Sequence, residues 1–354
     1  MSLAETYDVG QVAMLRVLPR WSRVSLAVAG GVSLGASVSG SVGTCSGVEC
    51  SADGKERPLA RTDVHALVQD LQRTFLRRLE ALSTADGANS VGDFQPVSWL
   101  RDEGRHGGGT RYELQDTRIF NRASINVSSV HYTDLPKYPV KSATALSMII
   151  HPNNPYAPSL HLHVSYMEPR GRPPYWRMIA DLNPSIEDPA ASDCFDAAMR
   201  SSMPATLYAD SKLFGERYFY IPDLGRHRGA AHVFVGSLSA GDVAGMSTSD
   251  CAELAGRFAS TALETYADVA QRALDAHPDT TITADDRARQ LAYHTLYFFQ
   301  VLTLDRGTTH GILAHDQNDV GTLGSLPSRI DPDLLAAWGR CEVAPYFRLL
   351  PFLP

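Results

Sequence analysis

Four short runs in the middle of the chain limit what it can fold into more than any other feature: "SINVSSVHY" (124–132), "ATALSMII" (143–150), "LHLHVSYM" (160–167) and "PYWRMIAD" (174–181). Each is apolar or alternating, and the gaps between them are filled by Pro, Gly and Asn turns. No helical pattern separates them, and parallel neighbours would need a crossover of a dozen residues or more. The runs therefore predict an antiparallel meander.

Helical periodicity appears on either side. Val64, Leu67, Val68, Leu71, Phe75, Leu79 and Leu82 form one apolar stripe, which predicts a helix over 61–83. Two more helices are predicted over 249–277, opened by Ser249, and over 283–304, where Thr283 and Asp286 make a capping-box pattern. "HVFVGS" (232–237) and "HGILAH" (310–315) read as further strands, and the glycines of "GRHGGGTRYELQD" (104–116) lead into polar alternation. The fold class that follows is α+β: one domain over 56–354, with a large antiparallel sheet flanked by helices.

In a strand over 160–167, His161, His163, Ser165 and Met167 share one face, opposite Leu160, Leu162, Val164 and Tyr166. Arg177, Ile179 and Asp181 share a face in the next run, with Asp181 read as the end of its strand. One side of the sheet thus serves a core and the other carries imidazoles and a carboxylate, groups that do acid–base work near neutral pH. His-x-His is also a pattern of metal-binding strands, and with His151 it leaves a divalent ion on His151 and His161 as an open alternative.

The formal charge of −7, without a Lys/Arg block, argues against a nucleic-acid partner. Five scattered cysteines suggest neither a disulfide framework nor a closed zinc site, so a reducing compartment is expected. Positions 9–48 lack Asp and Glu, carry Arg16, Arg20 and Arg23, and are too interrupted by Gly and Ser for a stable membrane span. Residues 1–55 are thus either a flexible extension of a cytoplasmic protein or an organelle transit segment.

Read in order, "SSVHY", "SMIIHPNNPYAPSLHLHVSY", "ADLNP", "LFGERYFYIPDLGRHRG" and "LDRGTTHGIL" resemble the oxygen-dependent coproporphyrinogen III oxidase family over residues 60–330. His151–Pro158 is the most specific part. The resemblance implies a homodimer that oxidatively decarboxylates propionate side chains of a small-molecule substrate to vinyl groups. O2 is the co-substrate, and no organic cofactor or metal is obligatory. It places the catalytic pair on His161 and Asp181, a substrate contact on Ser147, and basic residues on Arg228 and Arg306.

The chain departs from the family pattern at the site itself. The family's His-Phe-Asn-Tyr-Arg is here His161-Leu162-His163-Val164-Ser165, and a second arginine is replaced within Asp316-Gln317-Asn318. An arginine grips a carboxylate through a bidentate, charge-assisted pair, worth about 1.5–3 kcal/mol. With His163, Ser165, Gln317 and Asn318 lining the substrate site, the expected substrate is a less anionic, non-porphyrinogen ring in specialised metabolism. The alternatives are a genuine coproporphyrinogen III oxidase of haem biosynthesis and a non-catalytic tetrapyrrole-binding relic.

Overall fold

The meander is present and wider than the alternation indicates. The computed structural model describes residues 58–84, 92–221, 225–303 and 326–340. Helix α1 (Arg61–Glu80) precedes strands β1 (Gln95–Leu100), β2 (Gly107–Gln115), β3 (Phe120–His131), β4 (Val140–Pro152), β5 (Ser159–Pro169) and β6 (Tyr175–Asn183). Helices α2 (Pro189–Ser201) and α3 (Ala205–Phe219) follow, then the short strands β7 (Tyr220–Ile221) and β8 (Arg226–His227), and β9 (Ala231–Leu238). Helices α4 (Thr248–Ala276), α5 (Ala284–Thr303) and α6 (Pro332–Arg340) complete the described chain. Seven strands form one sheet in the order β1-β2-β3-β4-β5-β6-β9, antiparallel at every pairing.

The two faces of the sheet have opposite chemistry because side chains alternate along each strand. Ile125, Val127, Leu146, Met148, Leu160, Leu162, Val164, Trp176, Met178, Val233 and Val235 lie on one face, all buried. Helix α1 lays Val64, Val68, Leu71, Phe75 and Leu79 on β3 and β4, and α4 lays its Leu254, Phe258 and Leu263 stripe on β5 and β6. This is the main core. The opposite face carries Arg111, Arg122, Asn126, Ser147, His151, His161, His163, Ser165, Arg177, Asp181 and His232.

Several sequence expectations shift. Strand β1 lies where a loop was expected, and neither α2 nor α3 was read from the periodicity of the chain. For α2 the signals were legible: Asp188 caps Ala191 N and Pro189 occupies the first turn. Ser247, not Ser249, caps α4, in a reciprocal capping box with Asp250. Thr283 and Asp286 do exchange hydrogen bonds at the start of α5. Asp181 is not a strand end, since β6 runs on to Asn183. The strand expected over 310–315 lies outside the described residues.

Two local devices matter for the site. The turn 152–158 is pinned to the α4–α5 connection: Asn154 Nδ2 donates to His277 O (2.7 Å), Tyr156 stacks on His277, and Gln290 Nε2 donates to Pro152 O (3.1 Å). These contacts bring α5 over the end of the polar face. At the other edge, Trp99 of β1 crosses Gly109 of β2, and its indole N–H donates to Asn126 Oδ1 of β3 at 2.9 Å. A Cβ on Gly109 would meet Val127 O at 2.1 Å and the Trp99 ring at 2.8 Å. Gly109→Ala is therefore expected to destabilise the fold by about 1–3 kcal/mol, the usual cost of overpacking, and to expose Trp99. Urea unfolding followed by tryptophan fluorescence measures both, and unchanged stability would contradict the packing described.

Candidate active site

His161 of β5 and Asp181 of β6 are direct cross-strand partners on the polar face. Arg228, just after β8, joins them: its Nε donates to Asp181 Oδ2 at 3.1 Å, and a terminal nitrogen lies 3.2 Å from His161 Nδ1. The Asp181 side chain is 0% exposed and that of Arg228 7%, so the ion pair is formed out of water. Arg228 reaches this position because Gly229 has φ +76°, and a Cβ there would fall 2.2 Å from Asp181 Oδ1. The guanidinium also lies over the Phe219 ring, 4.7 Å from its centroid, and over Tyr297 at 5.8 Å.

The rest of the face surrounds this triad. Ser147 Oγ and His163 Nδ1 are 2.8 Å apart, across the β4–β5 pairing. Burial, reinforced by the nearby Arg177 charge, pushes His163 down to about 4, so at neutral pH it is no cation for a carboxylate. His151 is fully buried, 2.9 Å from Ser159 Oγ through Nδ1, with Tyr297 and His294 edge-on to its ring. Burial also holds His151 well below the usual imidazole range and His294 at about 3.

Ser165 is buried, and its hydroxyl has no hydrogen-bond partner among the described residues. Directly opposite it on β6 stands Arg177. The register between β6 and β9 slips beside Arg177, a bulge that re-aims side chains. Its hydrogen bonds, to Gly236 O at 3.5 Å and the Tyr175 hydroxyl at 3.4 Å, are long. Arg122 at the far end of the same face is also buried, with Nε unpartnered. Neither arginine forms an ion pair among the described residues, whereas Arg111 is paired with Glu113 at 2.8 Å.

The structure thus brings together His161, Asp181, Arg228, Ser147, His163 and Ser165 on one face. Arg306, Gln317 and Asn318 lie outside the described residues. His151 and His161 are not gathered with a third ligand-type side chain: among the described residues such a cluster occurs instead at Glu216, His227 and His232. Arg122 and Arg177 are further cations on this face that were not named from the sequence, although the alternation already put Arg177 on the Asp181 face. Only the register shows that Arg177 is the neighbour of Ser165.

The family model for coproporphyrinogen III oxidase matches residues 63–333, well over half of the chain. The chain belongs to the coproporphyrinogen III oxidase family. It is 28% identical over 291 residues to the mitochondrial oxygen-dependent coproporphyrinogen-III oxidase of Rattus norvegicus, covering 75% of this chain and 62% of the relative. The mitochondrial enzyme of Mus musculus gives 28% over 292 residues with the same coverage. The oxygen-dependent coproporphyrinogen-III oxidase of Prochlorococcus marinus (strain MIT 9313) gives 30% over 195 residues, 51% of this chain and 53% of the relative. The matched region therefore spans about three fifths of the length of the mammalian relatives. No helix among the described residues of this family member is long and apolar enough to cross a membrane.

Two outcomes follow from this electrostatics. Arg228→Ala leaves the Asp181 carboxylate buried without its guanidinium, and removing one partner of a buried pair costs about 3–5 kcal/mol, measurable by urea unfolding. Retained wild-type stability would show that the pair is not desolvated. The second outcome concerns acid. His151, His163 and His294 are neutral in the fold but titrate near 6.5 when unfolded, so the unfolded chain takes up protons that the folded one refuses. Stability falls as pH drops from about 6.5 towards 4, by about 2 kcal/mol at pH 5 for each of His163 and His294, and His151 acts in the same direction. His106, raised by Asp102 and Asp134, works in the opposite sense: its contribution is present below pH 6.5 and lost as pH rises through its folded value. His163→Gln should reduce the loss between pH 7 and pH 5 by about 2 kcal/mol, and an unaltered slope would refute the assignment.

Proposed function

We propose that the chain catalyses the oxygen-dependent oxidative decarboxylation of carboxylate side chains on an electron-rich, pyrrole-type ring. The observation that carries this reading is the buried Asp181–Arg228 pair bonded onward to His161, on a sheet face that also holds Arg122 and Arg177. The names of the relatives, all oxygen-dependent coproporphyrinogen-III oxidases, support the same reaction class.

For a propionate the balance is R–CH2–CH2–COO⁻ + O2 + H⁺ giving R–CH=CH2, CO2 and H2O2. The C–C bond to the carboxylate and one C–H bond on the ring-adjacent carbon break as the C=C bond forms, and O2 takes the two electrons and, with the released and the added proton, becomes H2O2. Asp181, kept ionised by Arg228, accepts a hydrogen bond from the ring N–H and stabilises the positive charge that develops as electrons leave. His161, beside the same guanidinium, exchanges the proton. Arg177 grips a spectator carboxylate from the β6 side of the cleft, one strand away from the position the family pattern gives to arginine.

Arg177 bears on the choice of substrate. Ser165 was one of two reasons to expect a less anionic ring, and a cation on the adjacent strand offsets it. The other reason, Asp316-Gln317-Asn318, lies outside the described residues. A polycarboxylated tetrapyrrole of the coproporphyrinogen class is therefore the favoured substrate. The homodimer is part of the same reading, and light scattering on the eluting protein checks it.

The decisive assay incubates the purified full chain with coproporphyrinogen III in air and follows vinyl products and H2O2. Turnover is expected, and its absence beside an active family control would overturn the tetrapyrrole substrate. Arg177→Ser should raise KM by about 10-fold or more, the loss of one charge-assisted contact. The exchange variant Arg177→Ser/Ser165→Arg should recover part of it. If Arg177→Ser leaves KM unchanged, Arg177 does not hold the substrate.

A further inference from the structure

Beside the triad, three side chains that the proposed reaction does not use converge from three elements: Glu216 of α3, His227 of β8 and His232 of β9. Glu216 presents one carboxylate oxygen to each histidine. Oε2 is 2.9 Å from His227 Nε2, and Oε1 is 3.4 Å from His232 Nε2. A ligand atom from each residue lies within 4.8 Å of the other two. Metal–nitrogen and metal–oxygen bonds of about 2.0–2.2 Å require ligand atoms about 3–3.5 Å apart, so small rotations close the set around an ion.

The state of His232 points to a ligand independently. Its side chain is 3% exposed, yet among the described residues neither ring nitrogen makes a hydrogen bond of good geometry. Buried polar atoms without partners are uncommon and call for an explanation, an unseen ion among them. The helix is also shaped around this ring. A Cβ on Gly215 would lie 3.0 Å from His232 Cδ2, tighter than an ordinary contact, so glycine lets α3 lie against the ring without displacing it. Phe219 packs against the ring at 5.0 Å, and His227 lies at 5.4 Å. Among the described residues Lys212 is the cation paired with Glu216: its Nζ is 3.6 Å from a Glu216 oxygen but is held more closely by Asp196, at 2.9 Å.

We propose that Glu216, His227 and His232 bind one divalent first-row transition ion of the zinc class, with water completing its coordination. Two imidazoles and one carboxylate are ligands of intermediate hardness, suited to such ions rather than to Ca²⁺ or Mg²⁺. The ion clips α3, β8 and β9 together. Arg228 follows His227 in the chain, and His232 is the cross-strand partner of Asp181, so the clip fixes the loop that delivers the guanidinium to the triad. The role is one of positioning: the ion touches neither Asp181 nor the substrate.

The test uses the full chain, purified without a histidine tag and stripped with a chelator. Titration with Zn²⁺ by calorimetry should show one equivalent bound at low-micromolar affinity or tighter. Co²⁺ should give visible d–d absorption, and either ion should raise the melting temperature. His227→Ala and Glu216→Gln alter side chains that are 37% and 39% exposed, so both variants should fold, as circular dichroism verifies. Each should weaken binding on the order of 100-fold and abolish the d–d bands. Absence of stoichiometric binding, or binding that survives both substitutions, overturns the site. Because the readouts are binding, absorption and melting, the outcome does not depend on whether the chain turns over a porphyrinogen.

Discussion

The site depends on one ion pair kept away from water. A carboxylate as deeply buried as that of Asp181 would neutralise itself unless a partner compensated its lost hydration. Arg228 is that partner, and it comes from a segment 47 residues further along the chain. Three features of the fold make the meeting feasible: the β5–β6 register that sets Asp181 beside His161, the left-handed Gly229 that lets the backbone lie against the carboxylate, and the Phe219 and Tyr297 rings that wall the guanidinium in. A buried pair of this kind contributes less to stability than to geometry, because desolvation offsets most of the attraction. In the proposed reaction its value is a fixed charge arrangement that need not reorganise as the ring loses electrons.

The two faces of the sheet divide the labour. The α1 and α4 stripes seal the apolar face, and that burial stabilises the fold. The other face is then able to hold imidazoles and guanidiniums in environments that hydration would not favour. The neutral His151, His163 and His294 are consequences of this arrangement. In the proposed function Arg177 supplies, from the position opposite Ser165 on the neighbouring strand, the cation that Ser165 does not.

The strand runs and their faces were legible in the sequence because a period of two is a local property. Leu160, Leu162, Val164 and Tyr166 are buried as the alternation required, and of the predicted helical stripe Val64, Val68, Leu71, Phe75, Leu79 and Leu82 are buried while Leu67 is partly buried. Helix α3 was not legible: only Tyr208, Ser211, Gly215 and Phe219 are buried along it, a stripe too mixed in polarity to stand out. Strand β1 was hidden for a related reason, since most of its side chains are exposed and its one anchor, Trp99, works through a bond two strands away. The cap of α4 was misplaced by two residues because Ser247 and Ser249 are chemically equivalent and only backbone geometry separates them.

By itself the sequence determined the antiparallel meander and the polar character of the His161 face, both of which depend on spacing within one strand or on short runs of adjoining residues. Only the tertiary structure decided what those groups meet. Arg228 between His161 and Asp181, Arg177 opposite Ser165, and Glu216 between His227 and His232 are contacts across strands or between helix and sheet, set by register, a bulge and a helix glycine. Register depends on how whole faces pack, so no local stretch of residues encodes it alone.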